Sequence, residues 1–561
     1  MGEPYFVPGT PVTVDRKGLG DARPGDLVDV TEGRGRARVR RLIGSAKRIE
    51  DVLEALLVEE GLREGFEPHE APEPSLEGRT DFRDLTTFTI DPDTAKDFDD
   101  AISVRREGDG VRVWVHIADV SYFVPAGSPL DRGAERRGNS VYVPGLVAPM
   151  LPHDLADDAC SLRPHEDRLT VTVEFAPDGT RSFNRSVIRS RERFTYGQVQ
   201  RILDGREQHE LADEVRLADS VSADLRRRRF ARGALRVESP EATFAFDGSG
   251  GVERAWIESE PAAHALIEEL MILANEAVAA FTVARKSKSL YRVHEQPEPQ
   301  SVELLLSKLA DLEVPTPPAP KSEALSPSEA ARIAAEASER VADYVQNAGR
   351  GREAFPALVL RALKQARYDP RNLGHSGLAS VAYTHFTSPI RRYPDLVVHR
   401  ALLRELGQGD DPPPSDVDEV AEHTSETERA ATDLEYRADD ICASWLLERT
   451  LFERGWEEPF SGEIIGLIPS GLFARFGEVF EGFLPARRLH GDYYELNELG
   501  TALVGRRGGR RYRLGDEIEV RVADIRKAEG KIELATGESE SGRGGARRGR
   551  SARPRRGRRG R

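Results

Sequence analysis

The chain has 561 residues and a formal net charge of −15, and its length accommodates several domains at about 100 to 200 residues each. It contains no run of about 18 apolar residues that could span a membrane, and its N-terminus lacks the basic and apolar regions of a secretory signal. Two cysteines, Cys160 and Cys442, are too few for a disulfide framework, so we expect a cytoplasmic protein without a membrane anchor.

The first 48 residues predict a small β domain, because strand-like segments alternate there with glycine-containing turns. Arginines alternate with small residues from Arg34 to Arg40, so on a strand they would share one face. Such a face is typical of an OB-type nucleic-acid platform, but an edge strand protected from aggregation by charge explains it equally well. Residues 49–77 follow as a helical linker, with an amphipathic helix over 49–64.

An acidic segment at 89–100 lies between two strand-like sequences and is the first candidate for a chemical site. Asp97 and Asp99 are two residues apart, so an extended segment turns both to the same side. Asp91 ends the preceding strand, and Asp100 faces the side opposite to Asp97 and Asp99. Carboxylates held this close repel one another unless a cation lies between them, and Mg²⁺ or Mn²⁺ would suit oxygen ligands. On composition alone, a solvated acidic loop is an equal alternative.

No break in composition divides residues 78–450, so we predict one large α/β domain there. The sequence over 262–284 predicts a helix that is apolar nearly all round and therefore buried. His264, Glu268 and Asn275 nevertheless fall on one side of it. A polar stripe on a buried helix faces a cavity or belongs to a hydrogen-bond network, which makes Glu268 a candidate site residue.

Arg391 and Arg392 lie in a segment that two prolines break into a turn before a helix predicted over 396–406. Arginines are unfavourable beside the positive end of a helix dipole, but they are well placed to bind an anion there. Either both arginines are surface charges, or one of them is a bidentate phosphate ligand. Tyr142 lies in a turn-rich region and Tyr196 at the start of a predicted helix, and packing of a buried ring is the usual explanation for either.

The C-terminal part changes character, because five strands with glycine turns between them are predicted over 457–535, as in an OB barrel. Phe473, Phe476 and Phe483 would either stack on bases or fill the barrel core. Residues 543–561 carry ten arginines and no acid. The segment 538–561 cannot bury a core, and we predict that it is disordered.

Two motifs resemble those of the RNase II/RNase R (RNB) family of 3′→5′ exoribonucleases. They are Thr89-Ile90-Asp91 with Asp97-Phe98-Asp99-Asp100, and Thr387-Ser388-Pro389-Ile390-Arg391-Arg392-Tyr393. The resemblance implies an α/β (α+β) RNB catalytic domain over 78–450, flanked by OB-fold β-barrels. A short OB or cold-shock-like domain would occupy 1–48, an S1-type domain 455–536 and a disordered Arg-rich tail 537–561.

The resemblance further implies processive hydrolysis of single-stranded RNA from a free 3′ end to nucleoside 5′-monophosphates, with Mg²⁺ or Mn²⁺ as cofactor. Asp91 and Asp100 would be the principal metal ligands, and Asp97 would hold the terminal nucleotide or a second metal. Asp99 would be a ligand and the carboxylate most critical for the chemistry. The remaining residues would contact the RNA. Arg391 would bind the scissile phosphate, and Tyr142 and Glu268 would bind the last nucleotides. Tyr196 would stack further along the strand, and Arg392 would also bind substrate.

Two departures from the family pattern accompany the resemblance. Val237 stands where a phenylalanine often pairs with the tyrosine of the Tyr142 position, and the N-terminal region has room for one small barrel instead of two. We expect a monomer whose Arg-rich tail is a candidate contact for ribosomes or RNA-degradation partners. The alternatives are a non-catalytic RNB-type RNA-binding protein and an OB-fold RNA chaperone, which would bind RNA without cutting it.

Overall fold

A computed structural model describes most of the chain. The described residues are 2–7, 9–15, 18–33, 36–236, 242–257, 261–319, 325–489 and 491–537. Val237 and the predicted tail from 538 onward lie outside these ranges. Among the helices within them, none is long and apolar enough to cross a membrane.

The N-terminal part is built on one antiparallel strand pair. Strand β1 (Asp26–Gly33) pairs with β2 (Arg36–Ser45), and helix α1 (Ile49–Glu59) follows with its apolar face buried. The side chains of Arg36, Arg38 and Arg40 are all exposed, as alternation along a strand requires. The OB domain over 1–48 stays a prediction, since the described residues contribute two strands and isolated bridges to it.

A seven-stranded sheet in the order β11-β4-β5-β6-β9-β10-β3 forms the centre of the molecule. The edge strands β3 and β11 pair in parallel with their neighbours, and the inner pairs are antiparallel. Strands β7 and β8 form a separate hairpin. The bounds are β3 (Thr80–Asp81), β4 (Thr87–Asp91), β5 (Asp100–Glu107), β6 (Gly110–Ala118), β7 (Val141–Val143), β8 (Leu146–Ala148), β9 (Asp167–Phe175), β10 (Arg181–Arg189) and β11 (Glu192–Thr195).

Several helices pack against this sheet, and four short strands form two further pairs, β12 with β13 and β14 with β15. The helices are α2 (Val120–Phe123), α3 (Pro129–Arg137), α4 (Tyr196–Leu203), α5 (Ala212–Ala231), α6 (Pro261–Arg285), α7 (Pro299–Asp311), α8 (Pro327–Ala348), α9 (Ala354–Arg361), α10 (Tyr393–Glu405) and α11 (Val417–Arg454). The strands are β12 (Ala242–Phe246), β13 (Val252–Ile257), β14 (Tyr291–Val293) and β15 (Arg367–Asp369).

The largest hydrophobic core lies between the central sheet and α6. Ile117 of β6 and Val171 of β9 are fully buried there together with Leu266 and Leu270 of α6. Burial of such side chains contributes roughly 1.5 to 3 kcal/mol each. The mixed α/β architecture and the buried helix predicted over 262–284 are therefore confirmed.

The C-terminal strands close into the predicted five-stranded barrel. Its strands are β16 (Phe460–Ile468), β17 (Gly471–Phe476), β18 (Phe480–Pro485), β22 (Glu517–Arg526) and β23 (Lys531–Thr536). Phe476 is buried in the barrel core, whereas Phe473 and Phe483 are partly exposed and form a cross-strand ring pair. A three-stranded sheet that the sequence did not reveal is inserted between β18 and β22: β19 (Tyr494–Leu496), β20 (Ala502–Gly505) and β21 (Arg511–Arg513).

Candidate active site

The acidic segment is a loop between two neighbouring strands of the central sheet. Strand β4 ends at Asp91, β5 begins at Asp100, and the two strands pair antiparallel through Phe88 and Ile102. The loop therefore returns on itself and brings both ends of the acidic motif together. Asp91 is only 8% exposed and Asp99 only 4%, so these carboxylates are held out of water.

Burial dominates the electrostatics of the loop. It raises the pKa of Asp91 to about 8, with the charge of Asp100 adding to the effect, and it raises the pKa of Asp100 to about 6. The pKa of Asp99 is also raised well above its usual range by burial. Removal from water disfavours the charged form of a carboxylate, and the nearby positive charges do not offset that cost here.

One buried oxygen, Oδ2, of each of Asp91, Asp99 and Asp100 has no hydrogen-bond partner among the described residues. Such oxygens are the donors that a hard divalent cation takes, so the residues present fit the predicted metal. No group of three or more His, Cys, Asp or Glu side chains in the described part of the chain is already arranged to hold a metal ion. A cation would have to draw the carboxylates together, and their role as ligands stays a prediction.

Asp99 connects the acidic loop to the arginine-containing turn. Its Oδ1 accepts a 2.8 Å hydrogen bond from the backbone N–H of Ile390, and its Oδ2 lies 3.5 Å from Nε of Arg391. The Arg391 side chain is 44% exposed, and its Nη2 donates to Ser388 Oγ at 3.1 Å. The two motifs therefore meet at one place, where a guanidinium group remains accessible beside buried carboxylates.

Arg392 has different surroundings from Arg391. Its Nη2 donates to Asp395 Oδ1 at 2.8 Å, and the same oxygen accepts the backbone N–H of Ser388 at 2.8 Å. Asp395 is fully buried in the first turn of α10, where a negative charge favours the helix dipole. This ion pair fixes the turn, so the structure gives Arg392 a structural contact, while its predicted contact with substrate stays untested.

Tyr142 lies over the acidic loop. Its hydroxyl donates to Asp97 Oδ2 at 2.6 Å, and its backbone N–H donates to Glu435 Oε1 of α11 at 2.8 Å. Burial, and then the negative charge of Asp97, raises the pKa of the Tyr142 hydroxyl. The charges of Arg391 and Asp99 also act on this hydroxyl, so these four side chains belong to one site.

Tyr196 begins α4, and Glu268 lies on α6. The ring of Tyr196 stacks on that of His264 with centroids 3.9 Å apart. The Glu268 side chain is 53% exposed, and its Oε1 lies 3.3 Å from Nη2 of the buried Arg229. The same guanidinium also binds Glu269, which is buried. The Glu268 carboxylate therefore lies at the surface, where it contacts the buried Arg229.

Asn275, the third residue of the polar stripe, belongs to a hydrogen-bond network. Its Nδ2 donates to the Tyr383 hydroxyl at 3.1 Å, and its Oδ1 accepts the backbone N–H of Phe386 at 2.9 Å. Asn275 thereby supports the segment that leads into the arginine-containing turn. Of the two explanations for the stripe, the network applies to this residue.

Arg193 of β11 also contributes to the site, and no sequence motif predicted it. It donates to the carbonyl of Pro92, and its guanidinium lies 5.5 Å from the centroid of the Phe98 ring. Its charge opposes the rise in the pKa of Asp91. The parallel pairing of β11 with β4 places Arg193 opposite Thr89, and the sequence contains no local signal for that pairing.

Comparisons with known proteins agree with this geometry. The RNB domain model matches residues 79–408, and the S1 RNA binding domain model matches 457–537. Ribonuclease R of Escherichia coli (strain K12) is 38% identical over 491 residues, and Ribonuclease R of Thermotoga maritima is 36% identical over 491 residues. These alignments cover 84% of this chain, with 59% of the first relative and 67% of the second, so the chain spans about three fifths of the length of the first.

The fold is also shared with a solved structure, Mycoplasma genitalium RNase R in complex with ribose methylated single-stranded RNA. Its TM-score to this chain is 0.83 and its sequence identity 26%, with 94% of this chain and 85% of that chain covered. The similarity therefore extends over the RNB part and the barrel together.

Proposed function

The chain belongs to the RNB-domain family, and from this membership we propose that it is a processive 3′→5′ exoribonuclease. It would bind single-stranded RNA by a free 3′ end and release nucleoside 5′-monophosphates one at a time. The observation that carries the proposal is the meeting of the buried Asp99 with Ile390 and Arg391. This contact places the buried carboxylate of Asp99 beside the guanidinium group of Arg391, which a phosphate can reach.

We further propose that the site works with Mg²⁺ or Mn²⁺. When bound by Asp91, Asp97, Asp99 and Asp100, the cation would activate water near neutral pH and compensate charge on the phosphate. One buried oxygen of each of Asp91, Asp99 and Asp100 accepts no hydrogen bond among the described residues, which supports this choice. A protein that only bound RNA would gain nothing from burying carboxylate oxygens without hydrogen bonds, which destabilises the fold.

Arg391, whose side chain is 44% exposed, would bind the scissile phosphate through its Nη groups. Its Nε faces Asp99, and its Nη2 also donates to Ser388. These contacts hold the planar guanidinium in one orientation, which is what bidentate recognition of a phosphate requires. Charge that develops on the phosphate during hydrolysis would be stabilised by a donor already in place.

Tyr142 and Glu268 would bind the terminal nucleotides. The hydrogen bond from Tyr142 to Asp97 fixes the orientation of the phenol ring, whose face could stack on a base. The exposed carboxylate of Glu268 can accept a hydrogen bond from a ribose hydroxyl, which would distinguish RNA from DNA. Tyr196, stacked on His264, would support a base further along the strand.

Binding partners beyond the RNA are part of the same proposal. We place the protein in the cytoplasm as a monomer, with no membrane contact. The Arg-rich segment from 538 onward would contact ribosomes or RNA-degradation partners through its positive charge.

The test is incubation of the full chain with a uniformly labelled single-stranded RNA in Mg²⁺. We expect mononucleotides and one short end product from RNA, and no shortening of DNA or of RNA blocked by a 3′-phosphate. Asp99→Asn should abolish the reaction. Asp93→Asn, which changes an exposed aspartate of the same loop, should leave it intact. Binding without any change in RNA length, in Mg²⁺ and in Mn²⁺, would instead establish the non-catalytic alternative or the RNA chaperone.

A further inference from the structure

Two buried residues that have no part in the catalytic proposal, Ser161 and Leu162, lie beside the acidic loop. The hydroxyl of Ser161 donates a hydrogen bond to the carbonyl of Lys96 at 2.6 Å and accepts one from the N–H of Phe98 at 3.1 Å. The N–H of Leu162 donates to the carbonyl of Phe98 at 3.0 Å. Two residues from a different part of the chain therefore hold the backbone of the acidic loop.

The hydroxyl of Ser161 holds the backbone on both sides of Asp97. Strand β4 ends before this residue and β5 begins after it, so strand pairing does not fix its conformation. The peptide groups on either side of Asp97 are the ones that carry the carbonyl of Lys96 and the N–H of Phe98, and both are bonded to the same hydroxyl. Because a peptide group is planar, restraining both planes restrains φ and ψ of the residue between them.

The peptide groups that follow are held in the same way. The carbonyl of Phe98 is bonded to Leu162, and the carbonyl of Asp99 accepts the N–H of Ala118, the last residue of β6, at 2.9 Å. The Phe98 ring between them is buried. The loop backbone is therefore restrained at successive peptide groups from Lys96 to Asp99, although it lies outside the strands.

The directions of two site carboxylates depend on this backbone. Asp97 accepts the Tyr142 hydroxyl at 2.6 Å, and Asp99 accepts the N–H of Ile390 at 2.8 Å. The direction in which a side chain leaves the backbone follows from the backbone conformation, so a rotated peptide group would turn the carboxylates away from these partners.

Loss of the Ser161 hydroxyl would disturb this arrangement. Ser161 is fully buried, so the carbonyl of Lys96 and the N–H of Phe98 would lose a partner that water does not readily replace. A buried backbone group without a hydrogen bond is unfavourable. The loop would therefore change its conformation to satisfy these two groups.

We propose that Ser161 is a positioning residue of the candidate active site. Its hydroxyl holds the acidic loop in the conformation that presents Asp97 and Asp99 together, so that the carboxylates are oriented before a divalent cation binds. Groups that orient metal ligands without touching the metal contribute strongly to metal affinity. The proposal rests on the proposed function in taking the acidic loop as the cation site.

The test measures Mn²⁺ binding to the full chain without RNA, from the electron paramagnetic resonance signal of the free ion. Ser161→Ala should weaken Mn²⁺ binding about 10-fold to 100-fold. The matched control is Ser338→Ala, because Ser338 is also buried and its hydroxyl also bridges two backbone groups. It donates to the carbonyl of Ala335 at 2.7 Å and accepts the N–H of Arg236 at 3.1 Å. The control should lose stability in urea but keep the Mn²⁺ affinity of the parent.

Amide hydrogen exchange, measured by mass spectrometry in EDTA, provides a second readout that needs no metal. A peptide covering residues 92–99 should exchange faster in Ser161→Ala than in the parent, and at the parent rate in Ser338→Ala. If the parent binds Mn²⁺, an unchanged result for Ser161→Ala in either measurement overturns the proposal. Equal effects in the two serine variants overturn it as well, because they would reflect a general loss of stability. A parent that binds no Mn²⁺ would refute the proposed cofactor, and the exchange measurement would then decide the role of Ser161.

Discussion

The backbone N–H of Ile390 donates a 2.8 Å hydrogen bond to Asp99 across 291 residues of sequence. This bond sets the position of the next residue, Arg391, whose Nε lies 3.5 Å from the same carboxylate. These contacts join the acidic loop to the arginine-containing turn. A substitution in either segment should therefore change the geometry of the proposed phosphate site.

Arg391→Met should remove the proposed phosphate ligand with a smaller effect on folding than Arg392→Met has. The Arg391 side chain is 44% exposed and lies 3.5 Å from the buried Asp99, a longer contact than the 2.8 Å hydrogen bond from Arg392 to Asp395. Loss of one donor that stabilises transition-state charge costs about 100-fold to 1,000-fold in kcat. Steady-state hydrolysis of a short RNA in Mg²⁺ measures the effect, and a kcat within about threefold of the parent value would contradict the assigned role.

Arg392→Met is the matched contrast, because it changes the neighbouring arginine in a different environment. Asp395 is fully buried and would lose its charged partner. Removing one member of a buried ion pair costs about 3–5 kcal/mol of the free energy of unfolding. Urea denaturation should show this loss for Arg392→Met and a much smaller one for Arg391→Met. Equal stability of the two variants would refute the structural role of the Arg392–Asp395 pair.

Features set by local sequence were the ones that could be predicted. Glycine turns between apolar strands identified the barrel, and the apolar surface of α6 identified a buried helix. The spacing of Asp97 and Asp99 marked the acidic loop. Each of these signals extends over a few consecutive residues, where side-chain periodicity and turn chemistry decide the conformation.

Long-range pairing could not be predicted in the same way. Glu435 binds the backbone of Tyr142 across 293 residues, and Arg193 reaches Pro92 through a parallel strand pair. The Arg392 side chain is 20% exposed and that of Arg391 44%, a difference that adjacent positions in the sequence do not reveal. The inserted sheet has strands of three and four residues, too short for an alternating pattern to be distinguished from a loop.

Arg229 should position Glu268 for recognition of the terminal ribose. It binds the buried Glu269 and reaches Glu268 at 3.3 Å. Arg229→Met alone should destabilise the fold, because Glu269 would be left buried and unpaired. The double variant Arg229→Met/Glu269→Leu should recover stability, and Glu268 should lose its contact with Arg229.

The readout for this double variant is the ratio of kcat/KM for an RNA ending in a ribose to that for one ending in a 2′-deoxyribose. We expect the ratio to fall toward that of Glu268→Gln. A double variant that is stable and retains the parent ratio would show that Arg229 has only a structural role.

Asp119 should make the fold sensitive to acid. Burial alone would raise its pKa, but the charges of Arg185 and Arg79 outweigh burial and hold the pKa below its usual value. Both arginines contact the carboxylate, at 2.6 and 2.7 Å. A carboxyl whose folded-state pKa is depressed stabilises the protein above its unfolded-state pKa of about 4 and loses that contribution as pH falls toward the folded-state value.

The free energy of unfolding of the parent should therefore fall between about pH 5 and pH 3 more steeply than that of Asp119→Asn, which has no carboxyl to titrate there. Asp93→Asn, an exposed aspartate, serves as the control and should follow the parent curve. Urea midpoints measured across this range provide the comparison. Parallel curves for the parent and Asp119→Asn would contradict the assignment.

Asp91→Asn should stabilise the protein when no divalent cation is present. The Asp91 carboxylate is buried, its Oδ2 has no partner among the described residues, and the charge of Asp100 adds repulsion. A neutral amide of the same shape removes that cost and also removes a proposed metal ligand. Thermal unfolding in EDTA should give a higher Tm for Asp91→Asn than for the parent, and added MgCl2 should raise the Tm of the parent but not of the variant. Asp93→Asn should respond to MgCl2 as the parent does, so equal responses of the parent and Asp91→Asn would exclude Asp91 as a ligand.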